Sequence, residues 1–303
     1  VESDTNKLVS VIIVTSGSKD YLEACLDSVK RQSYPDPEVI VIDNSLVPDL
    51  SAGIRESFPF IKLYSNPQNL YYGLSLNKGI ALSRGDFILC LNDDVVLDRE
   101  FISEALKGFS INDSIGMVSG KILRPDGKTL DSTGLFLTIW RTAKERGYGR
   151  PDRGQFERAG FIFGVSGSAA FYRRSMLEKV KQTGDYFDRS FRMFYEDLDI
   201  SWRANKRSWQ AYYIPDAKAF HVRGGSWRPD SALGKPICRR YLDDRLHSEL
   251  IKNRYLTILK NESLFGFLAH LLPIALYDLC AWVYLLFFRR NVIKIFLSRR
   301  KVS

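Results

Sequence analysis

The chain has 303 residues, of which 45% are hydrophobic and 26% charged, with four cysteines. That balance argues against wholesale disorder, a collagen-like fibre or a polytopic membrane protein, and the length suffices for one large α/β domain with an appendage, its core needing no disulfides or structural metal. The net charge of +9 is uneven: Cys238 to Ser303 carry 12 Lys+Arg against 5 Asp+Glu and the remainder 32 against 30, so the basic character belongs to the C-terminal tail and suits an anionic membrane surface or a nucleic acid.

Leu8 to Val14 (LVSVIIV) is a short β-branched run, too short for a signal-peptide core, and reads as a strand. It ends at Thr15-Ser16-Gly17-Ser18. A helix is expected next, with Asp20 as cap, Glu23 three residues on, and Leu22, Cys25, Leu26 and Val29 at helical spacing. Glu38 to Ile42 is a second buried strand, ended by Asp43-Asn44-Ser45, and Ile61 to Tyr64 a third. Leu70 to Leu82 has helical spacing. Phe87 to Leu91 is a further strand, ended by Asn92-Asp93-Asp94. Unbroken apolar strands alternating with helices predict a mostly parallel sheet covered on both faces. Ligands of such sheets bind beyond the carboxyl ends of the strands, where Thr15-Ser16, Asp43-Asn44 and Asn92-Asp93-Asp94 would gather.

From about Pro125 to Phe161 the chain turns irregular, which predicts a long loop or flap near the site. Order is expected again at Gly164 to Tyr172, then at Glu196-Asp197-Leu198-Asp199 opening a helix, and at a strand from Gln210 to Ile214 followed by Phe220-His221. The cysteines lie far apart without a CxxC pair and read as reduced core residues of a cytosolic protein.

Adjacent carboxylates at a strand end repel unless something positive compensates; a divalent cation holding a diphosphate would do so, as would a solvated turn with no ligand at all. Acids at a helix start are favoured by the helix dipole, yet Phe191, Met193, Phe194 and Tyr195 lead directly into Glu196-Asp197, and a carboxylate among apolar groups suits a general base. His221 follows a strand and is either a core histidine or a metal ligand. Asn69, Gly73 and Asn77 could bring a helix start close to a nucleotide.

In order and spacing, VSVIIVT (9–15), VIVIDNS (39–45), Asn69 with Gly73 and Asn77, RGDFILCLNDDVVL (84–97), GSAAFYRR (167–174), FYEDLDISWRA (194–204) and IPDAKAFH (214–221) resemble the family 2 glycosyltransferases of GT-A fold, and within them the bacterial rhamnosyltransferase-like branch that builds surface polysaccharides. The resemblance spans roughly residues 8–226 and implies a Rossmann-like α/β catalytic domain at 1–237 followed by a basic, apolar helical region at 238–303. It implies that Thr15, Asp43 and Asn69 contact the pyrimidine nucleoside, that Asn92-Asp93-Asp94 fills the DxD position with Asp93 near the ribose, that Asp94 and His221 bind Mg²⁺ or Mn²⁺, and that Asp197 is the catalytic base. The first DxD residue is Asn here, and Thr15-Ser16-Gly17-Ser18 stands where relatives carry a Tyr-Asn pair. The implied reaction inverts the anomeric centre, moving a sugar such as rhamnose from a UDP- or dTDP-sugar to a glycan or lipid-linked saccharide. A nucleotide-sugar-binding protein without turnover and a sugar nucleotidyltransferase are the competing readings; Asp197 argues against the first, and the lack of a Gly- and Arg/Lys-rich loop after strand one against the second.

In the tail, Leu264 to Phe288 is a 25-residue run in which only His270 and Asp278 ionise, flanked by Arg289-Arg290, Lys294 and Arg299-Arg300-Lys301. One helix of that length would reach ~37 Å. However, Gly266, His270, Pro273 and Tyr277 with Asp278 make a small-or-polar stripe. The expectation is a helix lying in the interface, or packed on the enzyme with its apolar face toward lipid or another subunit, at the cytoplasmic side of the inner membrane. Nucleic acid is not expected as a partner, because the basic residues flank a lipid-like run; homo-oligomerisation stays open.

Overall fold

The computed structural model describes residues 8–47, 50–223 and 242–298. Its first half is β1 (Val9–Thr15), α1 (Lys19–Lys30), β2 (Glu38–Asp43), α2 (Leu50–Ser57), β3 (Lys62–Ser65), α3 (Tyr71–Leu82) and β4 (Phe87–Asn92). The strands lie β3-β2-β1-β4, all parallel. Every residue of β1 is buried, because helices cover both faces. Val11 and Ile13 pack in one cluster with Leu22, Cys25, Leu26 and Val29 of α1; Ile12 and Val14 pack in the other with Leu76 and Ile80 of α3. Gly79 lets α3 settle on the sheet, since a Cβ there would meet Ile12 Cγ2 at 2.3 Å. The expected Asp20 cap is not formed. The helix opens at Lys19 with Ser18 at the capping position, and Asp20 lies in the first turn, where its charge still suits the helix dipole.

The second half comprises β5 (Val95–Leu97), α4 (Phe101–Phe109), β6 (Ile115–Leu123), β7 (Leu130–Ser132), β8 (Leu135–Leu137), β9 (Ala143–Glu145), β10 (Gly160–Ile162), β11 (Ala169–Arg173), α5 (Arg174–Val180), α6 (Glu196–Asn205) and β12 (Gln210–His221). Here the sheet is mixed. Strand β11 runs antiparallel between β4 and β6, while β12 runs parallel beside β6. The two strand pieces expected around Gln210 and His221 are one strand, broken in register between Ile214 and Lys218, where Pro215 has no N–H to give the ladder. The stretch expected to be an irregular flap is folded: it carries β7, the β8–β9 hairpin and β10. These strands have three residues each, too short for a two-residue alternation to register in the sequence.

The tail forms α7 (Asp244–Asn261), α8 (Leu264–Ala269), α9 (Leu271–Phe288) and α10 (Arg290–Ser298). The proposed domain boundary at 237/238 and Cys238 lie outside the described residues. The single 25-residue helix is not formed. It breaks at His270, because the ring of Pro273 clashes with a helical carbonyl at Ala269, four residues back. Helix α9 is, by length and composition, apolar enough to cross a membrane, and 17% of it is buried. Its polar stripe turns toward the enzyme. Asp278 Oδ1 accepts from Arg254 Nε on α7 at 2.7 Å, the Arg254 guanidinium lies 4.4 Å from the Tyr277 ring centre, and His270 Nδ1 is 3.1 Å from Arg141 at the β8–β9 hairpin tip. Cys25 and Cys90 are core residues as expected; Cys280, on α9, is exposed.

Candidate active site

The register of the parallel strands sets Thr15 beside Asp43, and Val14 beside Asn92. The three polar strand ends therefore meet on one edge, as expected for an open α/β sheet. Thr15 Oγ1 and Ser16 N donate to Asp93 Oδ2 at 2.7 and 3.2 Å, so the loop after β1 is tied to the acidic turn. Burial, and to a smaller degree the charge of Asp94, raises the Asp93 pKa against these bonds. Asp43 receives Ser45 N, Ser45 Oγ and Ser51 Oγ at 2.9, 2.6 and 2.9 Å, which fixes the loop after β2. Asn69 Oδ1 takes Asn44 Nδ2 and Tyr71 N, both at 2.7 Å, at the exposed entrance to α3. Asn77 is not at this edge. Its amide exchanges two bonds of 2.7 and 2.8 Å with the Phe187 backbone and is a core fastener.

Strand β12 pairs with β5, placing His221 opposite Val95 and next to Asp94. His221 Nε2 lies 3.2 Å from Asp94 Oδ1 without a hydrogen bond being formed there, and Nδ1 lies 2.8 Å from Asp131 Oδ2. Arg223 Nε donates to the other oxygen of Asp131. Burial disfavours charge on both groups, but the pairing prevails: the Asp131 pKa is lowered and that of His221 raised. Asp131 thus orients the imidazole, in the way a carboxylate behind a metal-ligating histidine does. Among the described residues no three His, Cys, Asp or Glu side chains form a metal cage. Asp94 and His221 are the two side chains that could hold one side of an ion completing its shell with substrate phosphates and water. A buried imidazole nitrogen without a hydrogen bond, aimed at a carboxylate, fits such an ion.

Asp197 stands in the first turn of α6, behind Phe194 and Tyr195, whose φ angles are +70° and +74°. Two successive left-handed residues are costly, and a side chain from the tail props them: Asn253 Nδ2 on α7 donates to Met193 O and Phe194 O, each at 2.8 Å. Asp197 Oδ2 accepts from Gly167 N at 3.1 Å and Oδ1 from Leu198 N at 2.8 Å. Even so, burial raises its pKa. Burial and the charge of Asp197 push neighbouring Glu196 up to about 8. Asp199, the third acid of the cluster, has no part in this site. It is fully buried, paired with Arg203 at 2.8 Å and capped by Asn261 Nδ2 at 2.8 Å.

Sequence reasoning missed Asp131, Arg223 and Glu145, and also the loop Ser166-Gly167-Ser168 as a hub. That loop links the parts: Asn92 N donates to Ser168 O at 3.0 Å, Gly167 N to Asp197, and Ser166 Oγ to Glu145 Oε1 at 2.9 Å. Asp131 and Glu145 sit in three-residue strands, so only their proximity in three dimensions reveals them.

The profile of the glycosyl transferase family 2 matches residues 10–181, more than half of the chain. The chain belongs to glycosyl transferase family 2. Its GT-A fold matches a mannosyltransferase from Pyrobaculum calidifontis, solved in complex with GDP-Man and Mn²⁺, at TM-score 0.58 and 17% identity over 98% of this chain and 76% of that one. TarS of S. aureus matches at TM-score 0.54 and 17% identity, over 86% of this chain and 45% of that one. Among family 2 relatives, an N-acetylglucosaminyl-diphospho-decaprenol L-rhamnosyltransferase of Mycobacterium tuberculosis is 24% identical over 74% of this chain and 79% of its own length. A poly-beta-1,6-N-acetyl-D-glucosamine synthase of Staphylococcus epidermidis is also 24% identical, over 73% of this chain but 52% of its own length.

Proposed function

We propose that this family 2 member is a metal-dependent, inverting glycosyltransferase that moves a sugar from a UDP- or dTDP-sugar to a hydroxyl of a glycan or lipid-linked saccharide. The observation that carries the reading is the arrangement of two acidic centres about one loop: the Asp93-Asp94-His221 edge on the donor side, and Asp197, tied to Gly167, on the other. Thr15, Asp43, Asn69 and Asn92 line the strand-end edge where a nucleoside would lie. Asp94 and His221 are the residues to hold Mg²⁺ or Mn²⁺, and Asp131 keeps the imidazole turned toward that place. A bound divalent cation supplies charge neutralisation for the departing diphosphate. Asp197, partly exposed and with a raised pKa, accepts the proton of the attacking hydroxyl, a contribution of ~10²–10⁴-fold for a well-placed base. One base and one displacement invert the anomeric centre. The loop after β1 speaks against a nucleotidyltransferase, because Thr15 and Ser16 bond Asp93 instead of opening a phosphate cradle.

The membrane part of the reading rests on α8 and α9. Leu264, Phe265, Leu268, Leu272, Leu279, Phe287 and Phe288 are all more than half exposed. A contiguous apolar face of this kind marks a partner surface, and the decaprenol-linked substrate in the mycobacterial relative's name makes a cytoplasmic membrane face the fitting partner. Arg289 is not a lipid anchor, since it pairs with Asp244 at 2.6 Å. Arg290 and Lys294, both exposed, remain for that role, and Arg299-Arg300-Lys301 lie outside the described residues.

The direct test is donor affinity for a panel of UDP- and dTDP-sugars, with Mn²⁺ or Mg²⁺ and with EDTA, for wild type and Asp94→Ala. Wild type should bind one donor and weaken in EDTA, and Asp94→Ala should be weak in both. Equal affinity with and without metal, in both proteins, would overturn metal dependence.

A further inference from the structure

Glu145 is a third carboxylate at the catalytic loop, and the proposed reaction leaves it without a task. It ends β9, the second strand of the β8–β9 hairpin. Two hydroxyls hold it, one on each oxygen: Ser132 Oγ donates to Oε2, and Ser166 Oγ to Oε1 at 2.9 Å. Ser166 is directly followed by Gly167, whose N–H holds Asp197. Two successive residues of one rigid loop therefore set two carboxylates side by side. The loop itself is braced from behind by Tyr72, whose hydroxyl donates to Gly167 O at 2.7 Å, and by Asn92 N on Ser168 O at 3.0 Å.

Glu145 and Asp197 are both partly exposed as residues, and neither is shut in the core as Asp199 is. A structural carboxylate inside this protein looks different. Asp199 is shut away and paired with Arg203, and Glu38 is paired with Lys62. Glu145 is held by neutral hydroxyls alone at hydrogen-bond distance, and each of its oxygens keeps a second lone-pair direction. Burial is the main reason its pKa is raised to about 7, with Arg223 acting against this and the charge of Asp197 adding to it.

We propose that Glu145 is an acceptor-binding residue: it receives a hydrogen bond from the sugar hydroxyl next to the one that attacks, so that Asp197 and Glu145 together grip a vicinal pair. The acceptor class is thus a saccharide with a free hydroxyl beside its attacking hydroxyl. This rests on the reading of Asp197 as the base, and it adds which acceptor that base can serve.

The test measures transfer and slow donor hydrolysis by water for full-length wild type, Glu145→Ala and Glu145→Gln. The donor is the sugar nucleotide selected by the panel above, and the acceptor is N-acetylglucosaminyl diphosphate on a short-chain lipid, alongside a version methylated at the neighbouring hydroxyl. Loss of one charge-assisted hydrogen bond should raise the acceptor KM of Glu145→Ala about tenfold or more. Glu145→Gln, which keeps one carbonyl oxygen, should fall between it and wild type. Donor hydrolysis should be unchanged in both, which also shows that both are folded. The methylated acceptor should be poor for wild type and no poorer for Glu145→Ala, the signature of two changes acting on one contact. Unchanged acceptor KM, or donor hydrolysis falling in step with transfer in both variants, would overturn the proposal. Asp197→Asn run alongside separates the two claims. If it still transfers, the assignment of the base fails. If it is dead while Glu145→Ala keeps its acceptor KM, only the role of Glu145 fails.

Discussion

Asp197 and Glu196 are adjacent acids in one poorly solvated turn, so ionising either makes it harder to ionise the other. Both have raised pKa values, Glu196 up to about 8. A base works only when deprotonated. A group raised by burial is protonated at a pH where a solvated carboxylate, with its pKa of about 4, is already charged. Transfer should therefore rise with pH along an acidic limb displaced above the ordinary carboxylate range. Glu196, pushed up to about 8, is still protonated where Asp197 ionises, so Glu196→Gln should leave that limb in place. A wild-type profile already flat from pH ~5 upward would contradict the shift. At this scale the sequence placed Asp43, Asp94 and Asp197 at strand or helix ends, where the structure has them. It was silent on Asp131 and Glu145, because a lone acid in a three-residue strand looks like any surface acid until its partners arrive from 90 residues away, as His221 does for Asp131.

Among the elements, α7 matters most for the site and is the one the sequence separated from it. Its 18 residues present Asn253 to the strained turn before Asp197, Asn261 to Asp199, and Lys252 to Ser190 O at 2.8 Å. It falls within the 238–303 region assigned to the tail, because the family motifs stop before it. Nothing local announces that the buried face meets α6. Asn253→Ala would leave the Met193 and Phe194 carbonyls without this donor, at about 1–3 kcal/mol for each buried group left unsatisfied. The expected result is a lowered Tm together with a fall in kcat larger than the change in donor affinity, because the turn that aims Asp197 relaxes while the strand-end edge stays intact. Thermal unfolding and donor titration of this variant check both parts; full kcat at normal Tm would show that the turn holds itself. The parallel half of the sheet, by contrast, was legible from its apolar runs alone, since burial on both faces leaves an uninterrupted hydrophobic signature.

Seen whole, the molecule has a polar side and a greasy one. The strand-end edge carries the acids, while α8 and α9 expose a face of Leu and Phe beside the β8–β9 hairpin, whose tip bonds the tail through Arg141 and Arg254. On the proposed reading, a catalytic half that handles a charged nucleotide is thereby attached to a surface suited to lipid. The triple variant Phe265→Glu, Leu272→Glu, Leu279→Glu alters exposed side chains only and should leave Tm and donor affinity as they are. Flotation with vesicles containing anionic lipid should recover wild type in the top fraction and leave most of the variant at the bottom, because it loses apolar burial at ~25 cal/mol per Å² and gains three like charges against the surface. Wild type remaining at the bottom would show that this face meets something other than lipid.

The central claim is that Asp197 removes the acceptor proton, and the most direct measurement compares Asp197→Asn with wild type in transfer rate and donor affinity under the same metal. The substitution keeps the shape and one of the two bonds from Gly167 N and Leu198 N on the amide oxygen, while the other acceptor and proton acceptance are lost. The account predicts a fall in kcat of ~10²–10⁴-fold with donor affinity within about twofold of wild type. Transfer retained within about tenfold, with donor affinity intact, would contradict it and pass the role to Glu196.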